Sequence, residues 1–268
     1  MSPAETRVAL SWQTHAFLFD FDGTLADIAP LPELACVPEE LVRHLVQLRA
    51  LVDGAVGLVT GRPLAWIDAR LEPHRFAAAG VHGLELRLDP SAEPKLYADG
   101  ARLGPLRASL RAFARLNEGI VIEDKGPSIA LHYRQRPELA AEAAAFADAL
   151  VNAHAGAITL QTGKMVIELR CAGPTKADAV RLLAQASCFV ERVPAYFGDD
   201  DTDEAAFEAV QSMGGVGIFI GDEARPSCAR ARLGSPAEMR RLVARLARRE
   251  QVALTASATA FRPALAAP

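Results

Sequence analysis

One stretch restricts what this chain of 268 residues can fold into more than any other: Ala16-Phe17-Leu18-Phe19-Asp20-Phe21-Asp22-Gly23-Thr24-Leu25. Residues 16–19 are apolar without alternation, the pattern of a strand covered on both faces of a parallel sheet. The apolar run then stops and delivers carboxylates at positions 20 and 22 into a glycine turn. In open α/β sheets ligands sit beyond the carboxyl ends of the strands, so Asp20 and Asp22 are expected where chemistry takes place. Gly23 permits the turn and leaves room for a ligand. Two aspartates this close repel each other, and a divalent cation relieves the repulsion. Beside a metal and a phosphate, Asp20 can serve as a carboxylate nucleophile that forms an aspartyl-phosphate. The bland alternative is an acidic loop after a strand; the whole string, strand included, argues against it.

The same strand, turn, helix unit recurs. Pro30 and Pro32 interrupt the backbone, and a helix is expected from Pro38 to about Ala50, with Leu41, Leu45 and Leu48 on one face. Ala55–Val59 reads as a second buried strand, ending in Thr60-Gly61-Arg62-Pro63 before a helical pattern with Leu64, Ile67 and Leu71. Thr60 lies where a helix N-terminus can receive a phosphate oxygen, although in isolation a simple Ser/Thr turn is the favoured explanation. Phe76–Val81 is a third expected buried strand, followed by His82-Gly83-Leu84-Glu85. Residues 89–104 are rich in turn formers and are expected to hold a hairpin.

From about Pro105 the pattern changes. A helix (Leu106, Leu110, Phe113, Leu116) precedes short alternating runs, then an alanine-rich helix over about Pro137–His154, then two more strands. Met165, Ile167, Leu169 and Cys171 would form an apolar face, opposite Lys164, Val166, Glu168 and Arg170. The expected module is αββαββ, with one sheet face on helices and the other carrying Glu123, Lys125, Arg134, Lys164, Glu168 and Arg170. A solvated sheet face is the ordinary reading of such residues. Clustered mixed charges also suit the hydroxyls of a sugar, because charged groups make stronger hydrogen bonds than neutral ones.

The pattern of buried strands resumes after Gly173. Pro174-Thr175-Lys176 opens a helix, and Ala195-Tyr196-Phe197-Gly198 ends in Asp199-Asp200-Asp201-Thr202-Asp203-Glu204. Asp201 and Glu204 are expected to form a capping box at the next helix. A capping role leaves Asp199 and Asp200 unexplained, since they precede the helix at the strand end.

These strings, in this order, resemble the four motifs of the haloacid dehalogenase superfamily of phosphotransferases: Asp20/Asp22, Thr60, Lys176 and Asp199/Asp203. The insert falls between the second and third, where one class carries an α/β cap. Within the superfamily the chain looks most like the trehalose-6-phosphate phosphatases, through His82-Gly83, Glu123-Asp124-Lys125-Gly126, His132-Tyr133-Arg134 and Gly163–Arg170. The resemblance implies a Rossmann-like doubly wound parallel-sheet core, α/β in class, with the core at 1–104 and 173–268 and the αββαββ cap at 105–172. It implies catalysis by Asp20, Asp22, Thr60 and Lys176. Sugar contacts from Glu123, Lys125, Arg134, Lys164 and Glu168, with His82 and Gly83 bordering the substrate, follow in the same way. Mg²⁺ would be held by Asp20, Asp199 and the Asp22 backbone carbonyl, with Asp200 and Asp203 behind them. The expected reaction is hydrolysis of trehalose 6-phosphate. Phosphatases acting on sucrose phosphate, mannosyl phosphoglycerate or a hexose phosphate, a mutase or phosphotransferase, and a silent sugar-phosphate-binding module are the alternatives. The paired carboxylates argue against the silent module.

Composition narrows the partners. A net charge of −4 gives no case for nucleic acid or an anionic membrane surface. The four cysteines form no C-x-x-C pair and suit a reducing cytoplasm. The first residues lack the apolar core of a signal peptide, and no apolar run approaches a membrane span. A cytoplasmic monomer acting on a small molecule is therefore expected. The Ala- and Pro-rich end, Ala253–Pro268, is expected to be partly disordered.

Overall fold

The computed structural model describes residues 7–29, 34–154, 156–223 and 225–256. In chain order the elements are β1 (Arg7–Leu10), β2 (His15–Phe19), α1 (Glu39–Leu51), β3 (Val56–Val59), α2 (Leu64–Leu71), β4 (Ala77–Gly80), β5 (Glu85–Arg87) and β6 (Lys95–Leu96). There follow α3 (Gly104–Leu116), β7 (Val121–Asp124), β8 (Ser128–His132), α4 (Ala140–Asn152), β9 (Ile158–Gly163) and β10 (Val166–Cys171). The chain continues with α5 (Lys176–Ala184), β11 (Val193–Gly198), α6 (Glu204–Ser212), β12 (Val216–Ile220), β13 (Ala231–Leu233), α7 (Pro236–Ala247) and β14 (Val252–Thr255).

The main sheet has the order β13-β12-β11-β2-β3-β4-β5-β6. Its first six strands are parallel, and β5 and β6 form an antiparallel hairpin at the edge. The central strands are buried along their length, so apolar residues fill both faces without alternation. Helices α1 and α7 pack on each other, as do α5 and α6, and these pairs cover the sheet. From β2 the chain winds outward through β3 and β4, then returns to β11 on the other side of β2. The reversal of strand order lies between β2 and β11, and ligands bind at such a point. Phe19 is in register with Phe197, and the Asp20 amide donates to the Phe197 carbonyl at 2.8 Å. Register alone thus brings Asp20 beside Asp199.

The segment α3–β10 builds a second, antiparallel sheet of order β7-β8-β10-β9 with its own apolar cluster. Leu110, Phe113, Ile129, Leu131, Ala143, Ala147, Ile167 and Leu169 fill it, and Phe113 stacks on Phe146 with centroids 4.5 Å apart. This is the αββαββ order expected from the sequence, and its other sheet face lies over the carboxyl ends of β2 and β11.

Three local expectations are corrected. Met165 does not extend the apolar face: it occupies a two-residue turn between Gly163 and Val166, at φ 61°, and is 43 % exposed. The helix-start capping box is Asp200 with Asp203, one register before the expected pair, because a 3₁₀ turn over Asp201–Asp203 precedes α6. Arg170, expected on the open sheet face, is buried and bonds the Pro174 carbonyl, tying the module to the start of α5. The Ala/Pro-rich end begins as a strand, since β14 pairs with β1 from Thr255 to Val252. The remainder of that end, from 257, lies outside the described residues, as do Pro30 and Pro32.

Candidate active site

Asp20 leaves the end of β2 nearly buried, at 4 % exposure. Lys176, the first residue of α5, donates from Nζ to Asp20 Oδ1 at 2.8 Å and to Asp203 Oδ1 at 2.7 Å. The lysine is fixed by a capping box in which Thr175 and Asp178 exchange hydrogen bonds. Asp203 is fully buried and satisfied on both oxygens. Tyr196 Oη donates to Oδ1 at 2.6 Å, and the amides of Asp199 and Asp200 donate to Oδ2 at 3.0 Å. Asp199 completes the group: carboxylate oxygens of Asp20, Asp199 and Asp203 lie within 4.8 Å of one another.

Gly23 makes this approach possible. A Cβ at position 23 would sit 2.1 Å from Asp199 Oδ2, and the residue has φ +80°. Only a glycine fits the turn and the carboxylate together.

Electrostatics follow from crowding. Burial raises the Asp20 carboxyl well above its usual range although Lys176 pulls it down, and Asp203 and Asp199 push it further. Burial, helped by Asp203, lifts Asp199 to about 7. Lys176 is shifted upward because its two carboxylates outweigh the burial that opposes its charge. Three buried carboxylates against one deeply buried ammonium leave an excess of negative charge, which a hard divalent cation with oxygen ligands suits. Asp203 has both oxygens occupied, so Asp20 and Asp199 are the members placed to serve such an ion.

Asp22 lines the same cavity, but its carboxylate is gripped by Arg62. Nε and Nη2 donate to Oδ2 and Oδ1 at 2.7 and 2.8 Å. Thr60 is buried and lines the cavity; its Oγ1 accepts from the Arg62 amide at 3.1 Å, the Ser/Thr turn anticipated as the ordinary reading.

The roof comes from the antiparallel sheet. Glu123, Lys125, Arg134, Lys164 and Glu168 all line a cavity of about 150 Å³ together with the core carboxylates and His82. Glu168 is 4 % exposed and accepts from Lys125 Nζ at 3.0 Å, from Ser128 Oγ, and from His82 across to the core at 3.1 Å. Burial alone would raise the Glu168 carboxyl; Lys125, His82 and Ser128 together hold it well below the usual range. Lys164 sits in the β9–β10 turn, with Nζ 3.3 Å from Asp199 and its amide 3.4 Å from Asp200. Arg134 donates to the Lys164 carbonyl at 3.0 Å. Gly83 is the exception among the expected site residues. It does not line the cavity but packs on Thr175, whose carbonyl would lie 2.6 Å from any added Cβ.

Sequence reasoning passed over Arg62 and His132. His132 stands in the string His132-Tyr133-Arg134 that carried the resemblance, two positions from Arg134 and so on the same strand face, which was a sufficient signal, and it bonds Glu123 at 2.9 Å. Arg62 had only its place in the turn after β3 to mark it.

Residues 18–254 match the family model described as trehalose-phosphatase. The chain belongs to the trehalose-phosphatase family. Trehalose-6-phosphate phosphatase of Escherichia coli strain K12 is 35 % identical over 207 residues, 77 % of each chain. A probable trehalose-phosphate phosphatase of Sinorhizobium fredii is 37 % identical over 232 residues, 87 % of each chain. The solved C-terminal domain of trehalose-6-phosphate phosphatase from C. albicans shares the fold, with a TM-score of 0.78 and 24 % identity over 88 % of this chain and 92 % of that one. The family's fold is haloacid dehalogenase-like, the parallel-sheet core and inserted module described above. Among the described residues no helix is long and apolar enough to cross a membrane.

Proposed function

We propose that this member of the trehalose-phosphatase family is a Mg²⁺-dependent phosphomonoesterase that releases trehalose and phosphate from trehalose 6-phosphate through an aspartyl-phosphate on Asp20. The observation that carries the reading is a buried Asp20–Lys176–Asp203 group, with Asp199 beside it, at the reversal point of a parallel sheet and directly under a polar sheet face. A binding module has no use for a nucleophile.

In this reading Asp20 attacks phosphorus in line, and the bond to the sugar oxygen breaks as Asp22 gives that oxygen a proton. Asp22 then takes a proton from the water that opens the acyl phosphate. Lys176 and Thr60 hold the transferring oxygens; the lysine already bonds the nucleophile and offsets the charge of the transferring group. Asp20, Asp199 and the Asp22 backbone carbonyl would hold Mg²⁺, which supplies shielding between a carboxylate nucleophile and an anionic ester. Glu123, Lys125, Arg134, Lys164 and Glu168 recognise the sugar, and His82 borders it. Residues 1–104 and 173–268 act as core and 105–172 as cap. The four free cysteines and the lack of a basic surface charge suit a cytoplasmic monomer.

The test is phosphate release from trehalose 6-phosphate beside sucrose phosphate and hexose phosphates, with Mg²⁺ and after chelation. Trehalose 6-phosphate should be hydrolysed fastest, only with the metal, and Asp20→Asn should abolish turnover. Retained turnover in that variant removes Asp20 as nucleophile; a faster rate on another sugar phosphate replaces the substrate.

A further inference from the structure

Arg62 makes more specific contacts than a turn residue needs. Its side chain is 11 % exposed and its guanidinium lies over the Trp66 ring, 4.5 Å from the centroid. Trp66 is itself pinned edge-on against Phe21, the residue between the two site aspartates, at 5.6 Å, and is covered by Arg70 at 3.4 Å. A planar cation clamped on an aromatic ring has little freedom to follow a moving partner. The fork it presents fixes both oxygens of Asp22 at 2.7 and 2.8 Å, and so fixes the plane of that carboxylate. Its remaining nitrogen, Nη1, lies 3.5 Å from Glu123 Oε1 on the cap sheet, and the other oxygen of Glu123 accepts from His132 at 2.9 Å. A continuous polar chain therefore runs Asp22, Arg62, Glu123, His132, from the end of β2 to the middle of the cap.

We infer that Arg62 is the positioning residue for Asp22, and that through Glu123 it makes the aim of that carboxylate depend on the seating of the cap. The inference rests on the proposed hydrolysis, in which Asp22 donates the proton that the leaving oxygen needs. An alkoxide leaves poorly without that proton, whereas a nitrophenolate leaves without help. Loss of aim therefore damages the first step, which kcat/KM reports, selectively for an alkyl phosphate, whereas the water-activating task of Asp22 in opening the acyl phosphate is common to both esters. Errors of about 1 Å in a reacting group cost on the order of 10²-fold in rate. Because Arg62 acts on Asp22, its removal matters only while position 22 carries a carboxyl group. Because Glu123 acts on Arg62, part of its effect on turnover passes through the arginine.

The test compares kcat and KM of Arg62→Ala, Arg62→Lys, Asp22→Asn and Arg62→Ala/Asp22→Asn on trehalose 6-phosphate and on para-nitrophenyl phosphate, with Mg²⁺. Arg62→Ala should lower kcat/KM on the sugar phosphate by on the order of 10²-fold, most of it through kcat rather than KM. Its loss on the aryl ester should be smaller by at least about tenfold, which also reports that the variant is folded. Arg62→Lys keeps the charge and loses the fork, so it should recover only part of the rate. In the Asp22→Asn background Arg62→Ala should add almost nothing. Glu123→Gln should lower kcat less in the Arg62→Ala background than in the wild type, while its KM effect persists. Equal losses of kcat/KM on both esters, or multiplicative losses with Asp22→Asn, overturn the role of Arg62. An unchanged kcat effect of Glu123→Gln overturns the link to the cap. Should Arg62→Ala fail to fold, Arg62→Lys carries the same comparison. Failure of the wild type on trehalose 6-phosphate counts against the proposed function instead, and the Arg62 comparison is then made on glucose 6-phosphate against the aryl ester.

Discussion

At the scale of single residues, crowding decides what each side chain can do. Gly23 is the clearest case: its Cα is the wall against which Asp199 rests. Gly23→Ala puts a methyl group into that carboxylate and forces a non-glycine residue to positive φ, at a cost of roughly 1–2 kcal/mol from the backbone alone. The expected outcome is a variant that melts at lower temperature yet folds, and has lost nearly all phosphatase activity because Asp199 is displaced. Kinetics and thermal melts check it; full activity would mean that Asp199 has no fixed position to lose. His82 gives a pH signature. Burial lowers its pKa below the usual 6.5, with Glu168 opposing the shift. A histidine whose folded pKa is depressed contributes stability above its unfolded value, and that contribution is lost as pH falls through the window beneath about 6.5. His15 and His44 are depressed as well, so the informative quantity is a difference. The melting-temperature gap between wild type and His82→Gln should be widest above pH 7 and should narrow as pH falls toward 5. A gap independent of pH would show that the imidazole does not titrate differently on folding.

At the scale of elements, the β9–β10 hairpin shows how a turn becomes part of a site. The two-residue connection Lys164–Met165 forces Met165 to positive φ, turns its side chain outward and leaves Lys164 facing the core carboxylates. The lysine is 29 % exposed at its side chain and also lies 3.4 Å from Glu223, so its pairs are screened and contribute little to stability. Lys164→Ala should therefore leave the melting temperature nearly unchanged while raising KM for a sugar phosphate at least several-fold. Its effect on a small aryl phosphate, which does not reach the sugar contacts, should be much weaker. Parallel losses on both substrates would mean that the hairpin serves the core chemistry rather than the sugar. The same hairpin marks where sequence and structure part. Asp20, Asp22 and Asp199 were legible because a buried strand that ends in carboxylates states its own direction, and the reversal of strand order brings two such ends together. The alternation of β8 and β10 likewise assigned Glu168 to the sheet face opposite the helices. What alternation does not encode is where a strand gives way to a turn, so Met165 was read as one more apolar position. Nor does it encode which partner a long side chain finds. Arg62 and Asp22 stand forty positions apart, and Arg170 turned from the sheet face to the backbone of Pro174. The pairing of β14 with β1 escaped notice for a related reason: a short edge ladder depends on the opposite end of the chain.

At the scale of the whole molecule, the cavity and the ligand disagree in size. The cavity between the two sheets is partly open to solvent and holds about 150 Å³, whereas pockets that hold ligands of ordinary size run from about 300 Å³ upward. Lifting of the antiparallel sheet from the core would enlarge the cavity for a disaccharide phosphate. The ties that hold it down are the groups proposed for catalysis and recognition: Arg62 to Glu123, His82 to Glu168, and Lys164 to Asp199. Substrate can compete for each of them, so binding and opening draw on the same contacts, and lid motions of this kind often limit turnover. The populations can be read from a pair of spin labels, one replacing exposed Glu142 on α4 and one replacing exposed Glu208 on α6, in a variant without its native cysteines. Without ligand, the distance distribution should contain a short component and a longer one, and Lys164→Ala should enlarge the longer one. Trehalose 6-phosphate with Mg²⁺, added to the Asp20→Asn form so that no turnover occurs, should gather the distribution into one population. That population should lie longer than the short component of the free protein, because the sheet lifts to admit the sugar. A single distance that neither ligand nor Lys164→Ala alters, in a protein whose parent hydrolyses the substrate, would show that access is gained by side-chain movement alone, with the two sheets held at fixed separation.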